Sequence, residues 1–451
     1  MKRTIKTIII AATMALPFIP ATAQHTYSGY FTDGYLYRHQ MNPAFSNNKG
    51  YFAFPILGNM NMAFKGGLGL GDVLYNINGK TTTFMNPNVS TAEAMSNIKD
   101  QNKFGMDMKL QLLSFGFKGF KGYNTIGVNV RSNLGFMLPG EFFRLAKEGI
   151  SNQSYLIEDM RMHADAYVEL ALGHSHQINE HLSIGATMKF LVGGANIDAH
   201  FKQVQLSLGE DKWTATSEAE IQSSMKGMMY ETEINENTGH QHVNGMDVEN
   251  PGISGYGIAF DLGAAYQLKD WTFSAALLDL GFINWSNNMV ASTNGVKTFD
   301  TSRYIFNVDD DQPNNFEDEM DRLTNDLSTL YELENNGDMG KRSKTLAATL
   351  NLGAEYRLPM YRKLSFGALN TTRFQGDFTW TEFRLSANWA PAKFFSLGVN
   401  GVTGTYGTGF GGIIKLGGLF LAMDRMVTNV TKQGVPVNAN ASFHIGANIA
   451  F

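Results

Sequence analysis

The sequence predicts an all-β fold: a transmembrane antiparallel β-barrel of about fourteen strands, with long outer loops that carry short helices. Two observations predict it. Apolar residues alternate with small or polar residues over many segments, for example 256–268 and 346–358. Long connections also alternate with tight turns along the chain, as they do in a barrel whose two termini lie on the periplasmic side.

The composition fits many strands on a crowded, curved sheet. Charged residues make up 17% of the chain and hydrophobic ones 43%, and glycine (47) and phenylalanine (32) are abundant, which argues against a disordered chain. The alternative is a soluble all-β protein, but its outward faces would carry many more charges. A net charge of −5 without a long basic run beyond the N-terminus does not favour a nucleic-acid partner. The lack of cysteine excludes disulfides and thiolate metal ligands.

The first 23 residues have the pattern of a secretory signal peptide. A basic start (residues 2–6) precedes a short apolar run, and Ala21-Thr22-Ala23 matches a small-x-small cleavage site. We therefore expect residues 1–23 to be removed, so that the mature chain begins at Gln24. The alternative, a retained membrane anchor, is disfavoured because the apolar run is shorter than the ~20 residues of a spanning helix.

Residues 24–50 precede the first strand and are rich in aromatic side chains. They contain four tyrosines and two phenylalanines, too many for a simple solvated tail. We expect this segment to fold into the periplasmic mouth of the barrel as a plug. A periplasmic arm that docks a partner is the alternative, and residues 51–451 are expected to form the barrel.

The alternating segments and the turns between them define the expected strands. These lie at about 51–64, 104–118, 123–136, 161–178, 181–201, 253–268, 271–284, 344–358, 363–373, 381–390, 394–403, 408–416, 418–426 and 440–451. Residues 202–230 are expected to extend the fifth strand and to add a hairpin above the membrane. Capping signals and apolar spacing predict helices in two outer loops, at 138–149 and 316–333.

The chain ends on "FHIGANIAF", which alternates large apolar residues with small or polar ones. We expect its apolar face to meet lipid and this strand to close the barrel against the first strand, 51–64. The terminal Phe451 resembles the C-terminal aromatic signal that the barrel assembly machinery reads. Phe451 is therefore the expected assembly signal.

Seven charged residues fall on the small or polar faces of the strands and are expected to face the lumen. They are Asp165, Glu169, Lys189, Asp261, Glu355, Arg357 and Arg384. Ion pairs that tie together the wall or an inner plug are one interpretation, and a polar path for a solute is the other. Fourteen strands lie between a barrel of ~8, filled by its own side chains, and one of ~16–18, which leaves a channel.

Catalytic patterns are lacking. There is no G-x-S-x-G and no H-E-x-x-H, and the G-x-G-x-x-G match at residues 407–412 has no helix after it. The pairs His174/His176 and His240/His242 fit a polar belt and a solvated loop better than metal sites. The sequence therefore predicts a protein that is not an enzyme and that has no metal and no cofactor.

Three stretches together carry a resemblance: "RHQMNPAFSNNKGYFAFPILGNMNM", "GYGIAFDLGAAYQL" and "LLDLGFINW". They resemble an uncharacterised family of Bacteroidota-type outer-membrane barrels, a domain of unknown function. The N-terminal motif of Arg38, Asn42 and Pro43 is similar to barrels associated with type IX secretion. "FDLGAAY" is similar to fatty-acid-transporter-like barrels, a resemblance that implies fourteen strands and an N-terminal plug.

The expected function is passive transport or binding of a small or amphipathic solute, in the outer membrane of a Gram-negative bacterium. The expected partners are membrane lipid, the barrel assembly machinery and a small-molecule ligand in the lumen. The alternative is a non-transporting scaffold that docks a secretion or surface-assembly partner. Its docking surface would be the N-terminal arm or the loops 202–252 and 285–343.

Overall fold

A computed structural model describes residues 25–54, 58–77, 80–148, 153–208, 213–234, 239–293, 297–300, 332–425 and 440–451. The expected signal peptide, and the expected helix at 316–333 except for its last two residues, lie outside these ranges. Among the described residues, none of the helices has the length and apolar composition that crossing a bilayer requires.

Fourteen antiparallel strands close into a barrel, which confirms the predicted fold class. In chain order they are β1 (Tyr51–Ala53 and Met60–Gly66), β2 (Gln101–Gly119), β3 (Gly122–Pro139), β4 (Gln153–Gln177), β5 (Leu182–Leu208), β6 (Gly255–Leu268), β7 (Trp271–Trp285), β8 (Arg342–Thr345 and Ala348–Arg357), β9 (Leu364–Phe374), β10 (Trp380–Ala392), β11 (Phe395–Gly404), β12 (Gly407–Leu416), β13 (Leu419–Met423) and β14 (Ala441–Ala450). Each strand pairs with its chain neighbours.

The last strand closes the barrel against the first, as expected. Phe52 pairs with Ile449, and Met60 pairs with Ile445, so apolar residues in both parts of β1 lie opposite apolar residues of β14. Closure leaves no free edge, and the backbone polar groups of the wall pair within the sheet.

The first strand differs from the expected continuous strand at 51–64. It ends at Ala53 and resumes at Met60, and Pro55 in between has no N–H to donate to a ladder. Among the described residues, β1 pairs with β2 at its two ends; between them, the Gln111 N–H donates to the Asn59 carbonyl oxygen. Apolar alternation alone does not reveal this interruption.

The outside of the barrel is apolar. Large hydrophobic side chains there have more than a third of their surface exposed, among them Phe190, Leu262, Phe273, Leu352, Leu385, Val399 and Ile414. Aromatic rings gather near the short-turn end, where the Trp271 and Tyr356 ring centroids are 4.8 Å apart. An apolar belt with an aromatic girdle is the surface that a membrane barrel presents to lipid.

The connections alternate in length, and this defines two ends of the barrel. At the short-turn end, Lys269 and Asp270 alone join β6 to β7, and Lys269 adopts a positive φ of 55°. At the other end, the strands run far beyond the ~9–11 residues that span a bilayer: β4 has 25 residues and β5 has 27. The outer part of β5 pairs with a further strand, Trp213–Met225. This end is the long-loop end.

Smaller elements lie on the long-loop end. The helix Gly140–Glu148 occupies the position expected from the sequence, and short helices form at Leu70–Val73 and Thr91–Met95. Further strands are Leu74–Ile77, Lys80–Thr83, Met228–Ile234, Gln241–Val248, Asn288–Ser292, Lys297–Asp300 and Glu334–Asp338.

Phe451 lies at the short-turn end, with 63% of its surface exposed. Its N–H donates to the Gly50 carbonyl oxygen at 2.9 Å, and its ring stacks on Phe115 at 6.1 Å. We expect deletion of Phe451 to reduce the amount of assembled barrel in membranes several-fold, because the expected assembly signal is then lost. The stability of refolded protein should change little, because these contacts are few. Heat-modifiable mobility on gels measures both, and an unchanged level of assembled barrel would contradict the expected role.

Candidate functional site in the barrel lumen

Residues 25–50 lie inside the short-turn half of the barrel. Two short 3₁₀ turns, Tyr27–Gly29 and Leu36–Gln40, fold the segment into a compact shape. Five of its six tyrosine and phenylalanine side chains are at most 8% exposed, namely Tyr27, Tyr30, Phe31, Tyr35 and Tyr37, and Phe45 is partly buried against them. The segment is too short to bury these rings by itself, so the inner wall of the barrel covers them.

Aromatic contacts join this N-terminal segment to the wall. The Tyr35 ring meets Phe420 of β13 edge to face at 5.0 Å, and the Tyr37 ring meets Tyr51 of β1 at 5.7 Å. The hydroxyl of Tyr37 donates to the Gly58 carbonyl oxygen at 2.6 Å, so the polar end of this buried side chain is satisfied.

Polar contacts bind the start of the segment to several strands of the barrel wall. Asp424, which directly follows β13, accepts hydrogen bonds from the Tyr27 N–H at 2.9 Å and the Ser28 N–H at 2.5 Å. The Asn400 amide donates to the Ser28 hydroxyl at 2.9 Å, and the Tyr30 hydroxyl bonds to Ser274 at 3.1 Å. The segment is thus bonded to β7 and β11 as well as to the end of β13.

The N-terminal motif of Arg38, Asn42 and Pro43 contacts both the rest of the segment and the barrel wall. Arg38 donates from Nε to the Tyr30 carbonyl oxygen at 2.8 Å and so stabilises the segment itself. The Asn42 amide donates to the Ala264 and Ala275 carbonyl oxygens of β6 and β7, both at 3.2 Å. Pro43 lies against Gly185 of β5.

Wall glycines make room for the segment. A Cβ at Gly185 would overlap the Pro43 carbonyl oxygen, and one at Gly263 would overlap the Asn42 side chain. A Cβ at Gly367 would overlap the Phe31 ring. These glycines lie on β5, β6 and β9, so three separate parts of the inner wall are shaped to this segment.

An ion pair fixes the segment at the short-turn mouth. Arg357 donates to both carboxylate oxygens of Asp33, at 2.8 and 3.0 Å, and also contacts Glu355 at 3.3 Å. Burial raises the pKa of the Asp33 carboxyl, but the hydrogen bonds and charge of Arg357 outweigh it and hold that pKa below its usual value. Asp33 and Arg357 are 40% and 33% exposed, so water screens this pair.

A buried charge network lies on the inner face of the five adjacent strands β3 to β7. Arg131 contacts Glu169 at 2.9 Å and Asp279 at 2.8 Å, and Lys189 contacts Asp261 at 2.7 Å and Asp279 at 2.6 Å. All five side chains are at most 5% exposed. Three carboxylates face two cations in close contact, an arrangement that is stable only when every charge keeps its partner.

A bulge in β7 delivers Asp279 to this network. Leu278 and Asp279 both point inward and are at most 1% exposed, whereas their neighbours alternate regularly. Asp279 adopts φ 60°, a left-handed conformation that Asp tolerates better than most residues. Its N–H donates to Asp261 at 2.7 Å, which ties the bulge to β6.

A second network joins β10 to Asp424 and Arg425, which follow β13 in the chain and lie beside the start of β14. Glu382 contacts Arg384 at 3.5 Å and Arg425 at 3.1 Å, and Arg384 donates to the Asp424 carbonyl oxygen at 2.9 Å. It therefore braces the Asp424 region that holds Tyr27 and Ser28.

The seven charged residues singled out in the sequence lie on the inner side of the wall, but not at one point. Glu169, Lys189 and Asp261 belong to the first network, Arg384 to the second, and Glu355 and Arg357 to the mouth. Asp165 lies nearer the long-loop end and contacts Lys344 at 3.3 Å. Sequence reasoning missed Arg131, although the alternation of β3 places it on the opposite face from its neighbours Val130 and Ser132. It also missed Asp279, Asp33 and Asp424.

Solved structures with similar folds are barrels of transport proteins. The chain is similar to the toluene transporter TodX of P. putida (12% identity, 94% of this chain and 92% of that chain, TM-score 0.38). It is also similar to a FadL homologue of Pseudomonas aeruginosa (11%, 96% and 99%, TM-score 0.36). The toluene transporter TbuX of Ralstonia pickettii gives 9%, 92% and 92%, with a TM-score of 0.38. Identities and scores this low assign no role to any residue of this chain.

Sequence comparison gives the family. No curated protein matches the chain in sequence. A family model described as "Family of unknown function (DUF5723)" matches residues 43–424, from Pro43, which lies against the wall, to Asp424. Because this match covers most of the sequence, the chain belongs to the DUF5723 family.

Proposed function

We propose that this protein is a plugged transport barrel in the outer membrane of a Gram-negative bacterium, with residues 25–50 as the plug. The observation that carries the proposal is the fit of this segment to the inner wall. Its aromatic rings are buried, three wall glycines make room for it, and it bonds to strands on opposite sides of the lumen. A segment placed there closes the short-turn end to solutes.

Two features support a plug that shifts rather than a permanent core. The Asp33–Arg357 pair is accessible to water, so its strength falls with salt. Near the start of the plug, buried polar atoms have no hydrogen-bond partner among the described residues: both ring nitrogens of His25, both amide atoms of Gln111, and one amide atom each of Asn59 and Asn61. An unpaired buried polar group costs about 1–3 kcal/mol, so the plug is not optimally bonded in this position.

The lumen beyond the plug supports a small solute. Ion pairs and amide side chains cover much of the inner wall, and an apolar patch of Tyr167, Ile283 and Trp285 interrupts them. A lumen of this mixed chemistry accepts small molecules with both polar and apolar parts.

Weakening the Asp33–Arg357 pair is expected to open the barrel more often. Asp33→Asn or Arg357→Gln removes one charge of a screened pair worth about 1 kcal/mol at most, so the ratio of open to closed barrels should rise up to about fivefold. Single-channel recording in planar bilayers measures this ratio, and liposome swelling measures solute entry. The charge-reversed pair Asp33→Arg with Arg357→Asp should return it towards the wild-type value.

The matched control is Arg362→Gln. Arg362 pairs with Asp270 at 2.6 Å on the same rim but does not contact the plug. If Arg362→Gln opened the barrel as much as Arg357→Gln, general loosening of the rim would explain the effect, and the proposed role of the Asp33–Arg357 pair would be wrong.

A further inference from the structure

A cavity lies in the lumen on the long-loop side of the plug, and we call it the Arg131–Arg373 cavity. Its lining includes Arg131, Asn133, Tyr167, Trp285, Arg373 and Gln375. Its empty volume is about 500 Å³, part of which is open to solvent. Gln375 and Trp285 lie at the long-loop ends of β9 and β7, so the cavity is reached from that side.

Each arginine of this cavity has a buried N–H that no described residue accepts as a hydrogen-bond donor. Arg131 uses its two Nη atoms for Asp279 and Glu169, but its Nε has no hydrogen bond. Arg373 donates from Nε to Gln375 at 3.2 Å and lies 4.0 Å from Asp107, but its Nη1 has no hydrogen bond. The two side chains are 2% and 4% exposed. Unpaired guanidinium donors at this depth are rare, and an acceptor bound beside them would satisfy them.

An apolar patch adjoins the arginines in this cavity, and the Arg131 guanidinium lies over the Tyr167 ring, 5.6 Å from its centroid. Tyr167 and Trp285 are 8% and 1% exposed and pack in one cluster with Leu191, Ala259 and Ile283. Leu346 packs against this cluster and also lines the cavity. A ligand in this cavity therefore meets cationic donors and aromatic rings that lie next to each other.

The other charges of the cavity are already paired. Lys344 contacts Asp165 at 3.3 Å and Asp198 at 2.8 Å, so neither Lys344 nor the Asp165 carboxylate adds an unpaired charge. Among the described lining residues, the donors without a partner are thus on Arg131 and Arg373. Such donors require an acceptor on the ligand.

We propose that the Arg131–Arg373 cavity binds a small organic anion with a compact apolar or aromatic body, its oxyanion on the two arginines and its body against Tyr167 and Trp285. This inference rests on the proposed function and names the solute class of that lumen. The size of the cavity limits the apolar body to about one ring.

Binding of benzoate to the full-length barrel in non-ionic detergent tests the proposal. Benzamide is the matched neutral probe because it has the same shape without the charge, and acetate is the matched anion without the apolar body. Titration calorimetry should show benzoate binding at least about tenfold more tightly than either probe. Benzoate should also change the tryptophan fluorescence, and Trp285→Phe should remove most of that change while calorimetric binding persists.

Two arginine variants locate the site. Arg373→Gln should weaken benzoate binding at least about tenfold, and Arg373→Lys should recover part of it. Arg425→Gln is the matched control, since it removes a lumen arginine that is 5% exposed and does not line this cavity, and it should leave binding unchanged. Heat-modifiable mobility confirms that each variant is folded.

Three results would overturn the proposal: benzoate and benzamide binding equally, no binding of benzoate to the folded barrel, or equal loss of binding in Arg373→Gln and Arg425→Gln. Equal binding of acetate and benzoate would also contradict it, because the apolar wall would then contribute nothing. None of these measurements depends on conductance. A barrel that binds benzoate but never opens would count against the transport role and leave the binding site standing.

Discussion

A barrel without residues 25–49 is expected to conduct ions continuously, whereas the full-length barrel should be closed most of the time. The segment fills the short-turn half of a fourteen-stranded lumen with five buried aromatic side chains, and removing it leaves a water-filled opening there. The deletion should keep residues 1–24 so that the expected signal cleavage site is intact. Planar-bilayer recording should show a conductance at least several-fold above that of the full-length protein.

Glycine variants provide the control for this deletion. Gly185→Val keeps the plug in the chain but places side-chain atoms where the Pro43 carbonyl oxygen lies, so it should displace the plug and raise conductance as well. Gly401→Ala changes a wall glycine whose added Cβ would meet no atom closer than 4.0 Å, and it should behave as wild type. A folded deletion variant that conducts no more than the full-length barrel would contradict the assignment of the plug.

Loss of Arg131 is expected to destabilise the barrel more than any other single change in the lumen. Arg131→Leu leaves Asp279 and Glu169 with Lys189 as their remaining close cation, at positions no more than 1% exposed. Breaking one partner of a buried ion pair costs about 3–5 kcal/mol. Denaturant unfolding in lipid vesicles should show a loss of that size.

A double-variant cycle separates charge from packing in this experiment. Removing the Asp279 charge together with Arg131, as Arg131→Leu with Asp279→Asn, should recover part of the loss because fewer carboxylates are then left unpaired. Arg144→Leu, on the exposed helix Gly140–Glu148, removes one surface charge and should change the unfolding free energy little. A loss below about 1 kcal/mol in Arg131→Leu would show that the network is dispensable.

Strict alternation made the barrel wall predictable from the sequence. In β3, buried and partly exposed residues alternate at every position, because the strand has lumen on one face and lipid on the other. The same rule identified Glu169, Lys189 and Asp261 as inward-facing. The closing pair of β1 and β14 followed from two matching apolar faces.

Local departures from that period were not predictable in the same way. The bulge at Asp279 shifts the phase of β7, so counting from Phe273 places a carboxylate on the lipid face. A carboxylate facing lipid is energetically implausible, and this conflict is the signal in the sequence that β7 contains a bulge. The partners Asp33 and Arg357 are 324 positions apart, and only the folded chain brings them together. Pairing across such distances depends on how the plug packs, which alternation does not encode.

Cross-linking the plug to the wall tests the central claim most directly, and the cysteine-free chain suits it. Ser28→Cys with Asn400→Cys replaces two side chains that are 2.9 Å apart, one on the plug and one on β11. In native membranes a short, reducible thiol-to-thiol cross-linker should join this pair in nearly every molecule, and reduction should restore the openings that the cross-link abolishes. Free thiols in both positions that react readily with a bulky, membrane-impermeant reagent in the folded barrel would contradict a plug inside the lumen.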